Sequence, residues 1–340
     1  MNTVNSDRDT NQIAHSHAAI NRIAVVIPCY KATEHVLGVI AGIGSEVWRI
    51  YVVDDACPVA SGSLVQEKCS DQRVRVIHHE VNQGVGGAVM TGYRAAIEDG
   101  AEVIVKIDGD GQMDTSLLPR LVAPILKGQA DYTKGNRFYD LARIRAMPLI
   151  RLLGNAALSF MAKLSTGYWG LFDPTNGYTA ISSKVAAHLP FDKISNRYFF
   201  ETDILFRLNT LRAVVVDIPM DAVYGEEVSN LHISKIFMEF LTKHVKNFFK
   251  RIFYNYYLRD MNVASFELIG GAASLSFGLI FGCIHWFYGL SENVVTPVGT
   301  IIIAAISILI GIQLLLAFLN FDVSNVPRRP ISTDLPDQRS

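Results

Sequence analysis

The sequence predicts an α/β domain, a mostly parallel sheet with helices on both faces, followed by amphipathic interface helices and a two-helix transmembrane hairpin. Three features lead there. Four β-branched runs, at 22–28, 49–54, 73–78 and 102–107, are separated by segments of helical length, the pattern of a parallel sheet built from crossover connections. Near the C-terminal end, 268–290 and 294–319 are each almost uncharged and close to or longer than the ~20 apolar residues that cross a bilayer. Only Ser291, Glu292 and Asn293 separate them, which allows nothing but a hairpin.

The 340 residues have room for one large or two ordinary domains. Half are hydrophobic, but the apolar excess is concentrated in the last third. With 31 basic and 32 acidic side chains the net charge is −1, which excludes a global electrostatic footprint for nucleic acid. The four cysteines, Cys29, Cys57, Cys69 and Cys283, show neither metal-ligand nor disulfide-framework spacing and read as reduced thiols. Residues 1–21 are polar, without the apolar core of a signal peptide, and read as a disordered tail whose His15 and His17 are solvated.

Helical patterns fill 35–43, 61–69 and 87–98 between the four strands. Beyond them, 147–163 is an amphipathic helix candidate, 177–181 and 213–218 are strand candidates, and 199–211 is a further helix. The stretch 233–259 mixes Phe and Tyr with Lys235, Lys243, Lys246, Lys250, Arg251 and Arg259. Ammonium groups beside aromatic rings on one helix suit a membrane surface. Basic residues precede the first span and follow the second, at Arg328 and Arg329, with none in the short loop. By the positive-inside rule both chain ends and the soluble domain are cytoplasmic, in a multi-pass inner-membrane protein. His285, close to Trp286 and Tyr288, reads as interfacial. The expected divisions are a tail at 1–21, a catalytic domain at 22–230, interface helices at 231–262, the hairpin at 263–321 and a cytoplasmic tail at 322–340.

In open α/β sheets ligands bind beyond the carboxyl ends of the strands, so the polar residues there come first. Asp108-Gly109-Asp110-Gly111-Gln112 directly follows the strand run VIVKI. Two carboxylates one residue apart can share a divalent cation where the chain turns, and glycine permits the turn. Hard oxygen ligands suit Mg2+ or Mn2+, which keeps places for phosphate oxygens and would neutralise a leaving diphosphate. Asp54-Asp55 follows the second strand, Asn82-Gln83-Gly84 the third, and Arg137 the run ADYTKGN. An acidic group after strand two can accept from a base or ribose hydroxyl, and an arginine near a metal can clamp phosphate. A dinucleotide-dependent oxidoreductase is excluded: its glycine fingerprint belongs after the first strand, whereas here the glycines follow the third and Val89 stands where the last glycine is required.

The order PCY at 28–30, VVDD at 52–55, NQGVGGA at 82–88, DGDGQ at 108–112 and GNRF at 135–138 resembles the inverting family-two glycosyltransferases with the GT-A fold. Within them it is most similar to the polyprenyl-phosphate branch of dolichol-phosphate mannose synthases and undecaprenyl-phosphate glucosyltransferases. RLLGNAAL, DPTNGYTAI, FFETDILFRL and the hairpin extend the likeness over about residues 22–320. The resemblance implies metal ligation by Asp108 and Asp110 with help from Gln112. It places the nucleoside at Asp54 or Asp55, phosphate at Arg137, and further donor contacts at Pro28, Tyr30 and Gly84. Glu201 and Asp203 sit where processive relatives keep a catalytic carboxylate, with either a basic or an orienting role. The chain departs from the family at Lys31-Ala32, where Asn-Glu is usual, and in YGEEVSNLHISK, which lacks the mannose synthases' basic pair. Ser229, His232 and Lys235 remain there as acceptor-phosphate candidates. The implied partners are a nucleotide-sugar donor, a polyprenyl-phosphate lipid and the membrane, with self-association through the hairpin open. The rival readings are transfer to a sugar hydroxyl in polysaccharide synthesis and a non-catalytic membrane scaffold.

Overall fold

A computed structural model describes residues 21–139, 149–174, 176–220 and 233–336. In chain order the main elements are β1 (Ile23–Cys29), α1 (Val36–Ala41), β2 (Val47–Asp54), α2 (Ser61–Lys68), β3 (Val74–His78), α3 (Val85–Glu98), β4 (Val103–Lys106) and α4 (Leu118–Leu126). Then come β5 (Tyr132–Asn136), α5 (Leu149–Thr166), β6 (Thr179–Ser182), α6 (Ser183–Ala186), α7 (Phe200–Leu211) and β7 (Val215–Pro219). The chain ends with α8 (Ile233–Phe253), α9 (Val263–Glu292) and α10 (Val298–Ser324).

The seven strands form one sheet in the order β3-β2-β1-β4-β6-β5-β7. β1 pairs in parallel with β2 and β4, and β5 with β7, while β6 runs antiparallel between β4 and β5. All seven residues of β1 are buried, which is why its sequence is a continuous apolar run rather than an alternation. Successive side chains still separate by face. Val25, Ile27 and Val105 join Leu121 of α4 on one side; Ala24, Val26 and Ile104 join Tyr93 of α3 and Leu208 of α7 on the other. A Cβ on Gly92 would lie 2.3 Å from a methyl of Val26, so glycine lets α3 settle directly on β1.

Two elements were not legible in the sequence pattern. α4 carries Pro119 near its start and Pro124 inside, which obscures a helix. β5 reads YTKGN, with a lysine and an asparagine that are nonetheless buried.

α9 (Val263–Glu292) runs past its expected apolar window at both ends, whereas α10 (Val298–Ser324) begins inside its window and continues past its end. Both are long and apolar enough to cross a membrane, and only 11% of each one's apolar window is buried within the protein. They pack through glycines: a Cβ on Gly278 would meet Ile308 N at 2.8 Å, and one on Gly311 would meet Leu275 N at 2.5 Å. Backbones approach this closely only where side chains are absent. α8 ends in a π-helical turn, Tyr254–Arg259, before the Asn262–Ser265 capping box opens α9.

The described residues after α10 fold back onto the sheet domain. Val326, Ile331 and Leu335 pack against the core on the α3 and α7 side of the sheet. The amides of Ile331 and Ser332 donate to the Asp131 carboxylate at 3.0 and 2.8 Å, beside a third donation from Val214 N. Asp131 is fully buried, so these amides supply the partners its oxygens need. Asp322, near the end of α10, is also buried. It accepts from both Nη atoms of Arg251 at 2.6 and 3.0 Å, from the Tyr256 hydroxyl at 2.6 Å and from the Trp169 indole at 2.9 Å. The hairpin is thus joined to α8 and to the segment after α5 through one carboxylate. Residues 1–20 and 337–340, assigned to the two tails, lie outside the described residues.

Candidate active site

The site forms at the carboxyl ends of β1, β2 and β4, where parallel strands deliver their following residues to one edge. β4 ends on Lys106, which is 1% exposed and whose Nζ lies 2.6 Å from Asp108 Oδ1. An ammonium removed from water keeps its charge only beside an anion, so this pair fixes the direction of Asp108. Gly111 takes φ 78°, and Asp110 Oδ1 accepts from Gln112 N at 3.0 Å, closing the tight turn. Asp108, Asp110 and Gln112 are all partly exposed on this turn.

Gly177 brings a second segment to the same place. The point a Cβ would occupy there lies 2.3 Å from Lys106 Nζ, 3.0 Å from Asp108 Oδ2 and 3.5 Å from Glu201 Oε1. Lys106, Asp108 and Glu201 therefore converge over a bare backbone. Burial pushes the Glu201 carboxyl up to about 8; Lys106 opposes the shift and Asp108 adds to it. Burial thus favours the protonated form of Glu201.

Asp203, the other carboxylate of this helix, does different work. It accepts from Ser195 N at 2.9 Å and from Asn247 Nδ2 of α8 at 3.1 Å. Both oxygens of Asp203 are thus engaged within the fold.

Asp54 and Asp55 are also occupied. Asp54 accepts from Cys57 N and Gly62 N at 2.7 and 2.6 Å, tying the turn before α2 to β2. Asp55 accepts from Gln83 N, Gly84 N and His79 Nδ1 at 2.7–2.8 Å. The Gly84 amide at the start of α3 therefore meets the chain's own carboxylate rather than standing open for a ligand. Both Asp54 oxygens and Asp55 Oδ2 retain a lone pair for a nucleoside, whereas Asp55 Oδ1 already accepts twice; the first use of these groups is to shape the cleft. Pro28 is buried in β1, and Tyr30 is half exposed at its mouth. Lys31, at the departure from the family pattern, takes φ 57° and donates its amide to Cys57 Sγ at 3.0 Å. Ala56 and Ala60 also have positive φ, so the donor-side turn holds three strained non-glycine residues.

Arg137 is gripped by Asp173: Nε to Oδ2 at 2.7 Å and Nη2 to Oδ1 at 2.8 Å. Burial alone would raise Asp173, but Arg137, Lys134 and Asn176 outweigh it and hold the carboxyl below its usual range. The arginine is thus a fixed fork. Asp173, Lys106 and Gly177 escaped the sequence reading; a lone lysine inside VIVKI, two residues before the acidic turn, was the available signal. Ser229 and His232 lie outside the described residues, and Lys235 falls in the first turn of α8.

Among the described residues no three His, Cys, Asp or Glu side chains gather as a closed metal site. Two carboxylates and an amide oxygen on one turn fit instead an open Mg2+ or Mn2+ site that shares its ion with phosphates and water.

The sheet order, with an acidic turn after β4, is that of the GT-A fold. The structure superposes on mannosyl-3-phosphoglycerate synthase from Rubrobacter xylanophilus with a TM-score of 0.51, at 14% identity over 71% of this chain and 77% of that one. Residues 24–189 match the model of Glycosyl transferase family 2. Similar curated proteins include UDP-N-acetylglucosamine–dolichyl-phosphate N-acetylglucosaminyltransferase of Methanococcus voltae, 27% identical over 60% of this chain and 86% of that protein. Undecaprenyl-phosphate mannosyltransferase of Micrococcus luteus is 29% identical over 60% of this chain and 85% of that protein.

Proposed function

We propose that the protein transfers a sugar, with inversion, from a nucleoside-diphosphate sugar to a polyprenyl phosphate at the cytoplasmic face of a membrane. The observation that carries this is the joining of two parts. A sheet edge bearing Lys106, Asp108, Asp110 and Glu201 is fastened through Asp322 to two apolar helices long enough to span a bilayer. The similarity to polyprenyl-phosphate sugar transferases supports it.

Asp108 and Asp110, with Gln112, would hold Mg2+ or Mn2+, which supplies Lewis-acid neutralisation of the leaving diphosphate when bound. Lys106 keeps Asp108 aimed, and Arg137, steadied by Asp173, is the candidate phosphate clamp. An acceptor phosphate oxygen forms the new bond to the anomeric carbon from the face opposite the nucleotide, while the bond to the diphosphate breaks and its electron pair leaves with it. Phosphate has a second pKa of about 6 and arrives anionic, so no general base is needed. The burial that favours a protonated Glu201 supports that, and the carboxyl would orient an acceptor by donating a hydrogen bond.

The same contacts support the proposed topology. Residues 331–332 return to Asp131 of the catalytic domain, which supports an even number of crossings with both ends on one side. The proposed divisions are a catalytic domain at 22–230, interface helices at 231–262 and a hairpin at 263–321. The segment after it is part of the catalytic body.

The test is to incubate the full chain with a panel of nucleotide sugars, Mn2+ and undecaprenyl phosphate, and identify the lipid product by mass spectrometry. A glycosyl phosphate ester of the polyprenol is expected. Efficient transfer to a free sugar with no lipid present would overturn the acceptor assignment.

A further inference from the structure

At the opposite end of α7 from Glu201 lies a cavity of about 510 Å3, next to the last turn of α10. Arg212, Ser324, Asn325, Arg328, Arg329 and Asp334 line it. Since α7 has twelve residues, Arg212 stands on the order of 18 Å from the Glu201 end, well away from the reaction centre.

The charges here do not balance. Arg212 is partly buried, and its guanidinium donates to Asn325 O and Oδ1 at 2.8 and 3.1 Å, both neutral acceptors. Burial and the like charge of Arg259 push its pKa down, so the pair repel each other in partial shelter from water. The nearest relief is Asp260, 3.6 Å from Arg259 and two-thirds exposed. Arg259 Nε is buried without a hydrogen-bond acceptor. Arg329 has Asp334 at 2.9 Å, while Arg328 is exposed and has no ion-pair partner among the described residues. Three arginines against one carboxylate thus wall a cavity that opens where an apolar helix ends.

We propose that this cavity binds the phosphate of an anionic glycerophospholipid as a structural lipid, separate from the acceptor. Guanidinium forks match phosphate oxygens in geometry and charge. Basic pockets at span ends take lipid headgroups, because the headgroup phosphate sits at that depth and the acyl chains lie along the apolar helices. Here the exposed apolar face of α10 continues upward from the cavity, with Leu316, Leu319 and Phe321 outward. A bound phosphate would supply the counter-charge that Arg212 and Arg328 lack and hold the base of the hairpin against the catalytic domain. The inference rests on the reading of α9 and α10 as membrane spans.

The test uses the full chain in nanodiscs of phosphatidylcholine with a minority of phosphatidylglycerol, and counts lipids retained on release by native mass spectrometry. One phosphatidylglycerol should be retained in clear preference to phosphatidylcholine. The Arg328→Gln, Arg329→Gln double variant, whose changes are exposed, should lose that preference by about thirtyfold. Arg212→Gln should lose it as well. Equal retention of the two lipids, or an unchanged preference in the double variant, would overturn the inference. Thermal protection by inorganic phosphate in pure phosphatidylcholine discs would also overturn it, by making this a free-anion site. A chain that failed to insert would remove the membrane reading and this inference together; one that inserted without preference removes this inference alone.

Discussion

Gly177→Ala adds one methyl group at a position that touches no expected substrate atom, yet it should nearly silence the enzyme. The new Cβ would lie 2.3 Å from Lys106 Nζ. Nonbonded heavy atoms settle near 3.5–4.0 Å, so the ammonium must withdraw by about 1 Å or more. Lys106 is 1% exposed and holds Asp108 at 2.6 Å, so the movement lengthens that pair and releases Asp108 from its set direction. Gly177 does not have a positive φ, so alanine brings no backbone strain, and the long lysine stem absorbs much of the clash. The stability cost should stay near that of a modest overpacking, about 1–3 kcal/mol. A displacement of about 1 Å in a catalytic group, by contrast, can cost on the order of 100-fold in turnover. Turnover would be measured as transfer of radiolabelled sugar to undecaprenyl phosphate, and folding by thermal unfolding of the same preparation. Full activity with an ordinary melting curve would refute the argument that Lys106 directs Asp108.

Asp110→Asn removes a charge at nearly constant volume, so it should abolish transfer without changing the melting temperature; wild-type turnover in excess chelator would refute the metal role. His244 is 3% exposed, and burial pushes its pKa down to about 4 from 6.5. The unfolded chain therefore binds the extra proton first: stability is full above pH 6.5 and falls by about 3 kcal/mol as pH drops to 4. Chemical denaturation should show a shallower acid limb in His244→Gln, and an unchanged slope would count against it. Asp322→Asn leaves Arg251 charged and buried with neutral partners, a loss of about 3–5 kcal/mol, read as a lowered melting temperature in nanodiscs. In a Cys283→Ser background, an impermeant thiol probe on intact cells should reach a cysteine at Asn293 but not one at Ser340; the reverse pattern would invert the topology.

The parallel half of the sheet was legible because β1, β2 and β4 are buried on both faces, and such strands must be written as unbroken apolar runs. The acidic turn was legible for a similar reason, since two aspartates and two glycines in five residues have few structural uses. β5 was not, because its lysine and asparagine are buried on partners far along the chain, Asp217 among them. The same cause hid the site's supporting residues. Lys106 looks like an ordinary charged residue until β4 is placed beside β6, and Asp173 gains meaning only when it reaches Arg137. Glu201 and Asp203 lie two positions apart on one helix, and their sequence context could not separate them. The fold does so by turning one toward Asp108 and the other toward α8.

The contacts between Asp131 and residues 331–332 join positions 200 and 201 apart in sequence. They also join a segment made before α9 and α10 to one made after them. Until both spans have emerged from the ribosome and folded back, the amides that complete the Asp131 end of β5 do not exist. Arg251 likewise waits for Asp322, 71 residues downstream. The catalytic domain can collapse early around β1, β2 and β4, but its far edge closes only after the hairpin is in place. On the proposed topology, insertion is thus a late step of folding rather than a sequel to it. A chain halted before Asp322 carries an Asp131 carboxylate short of two donors and a buried cation without its anion, features that quality control can distinguish from the finished protein.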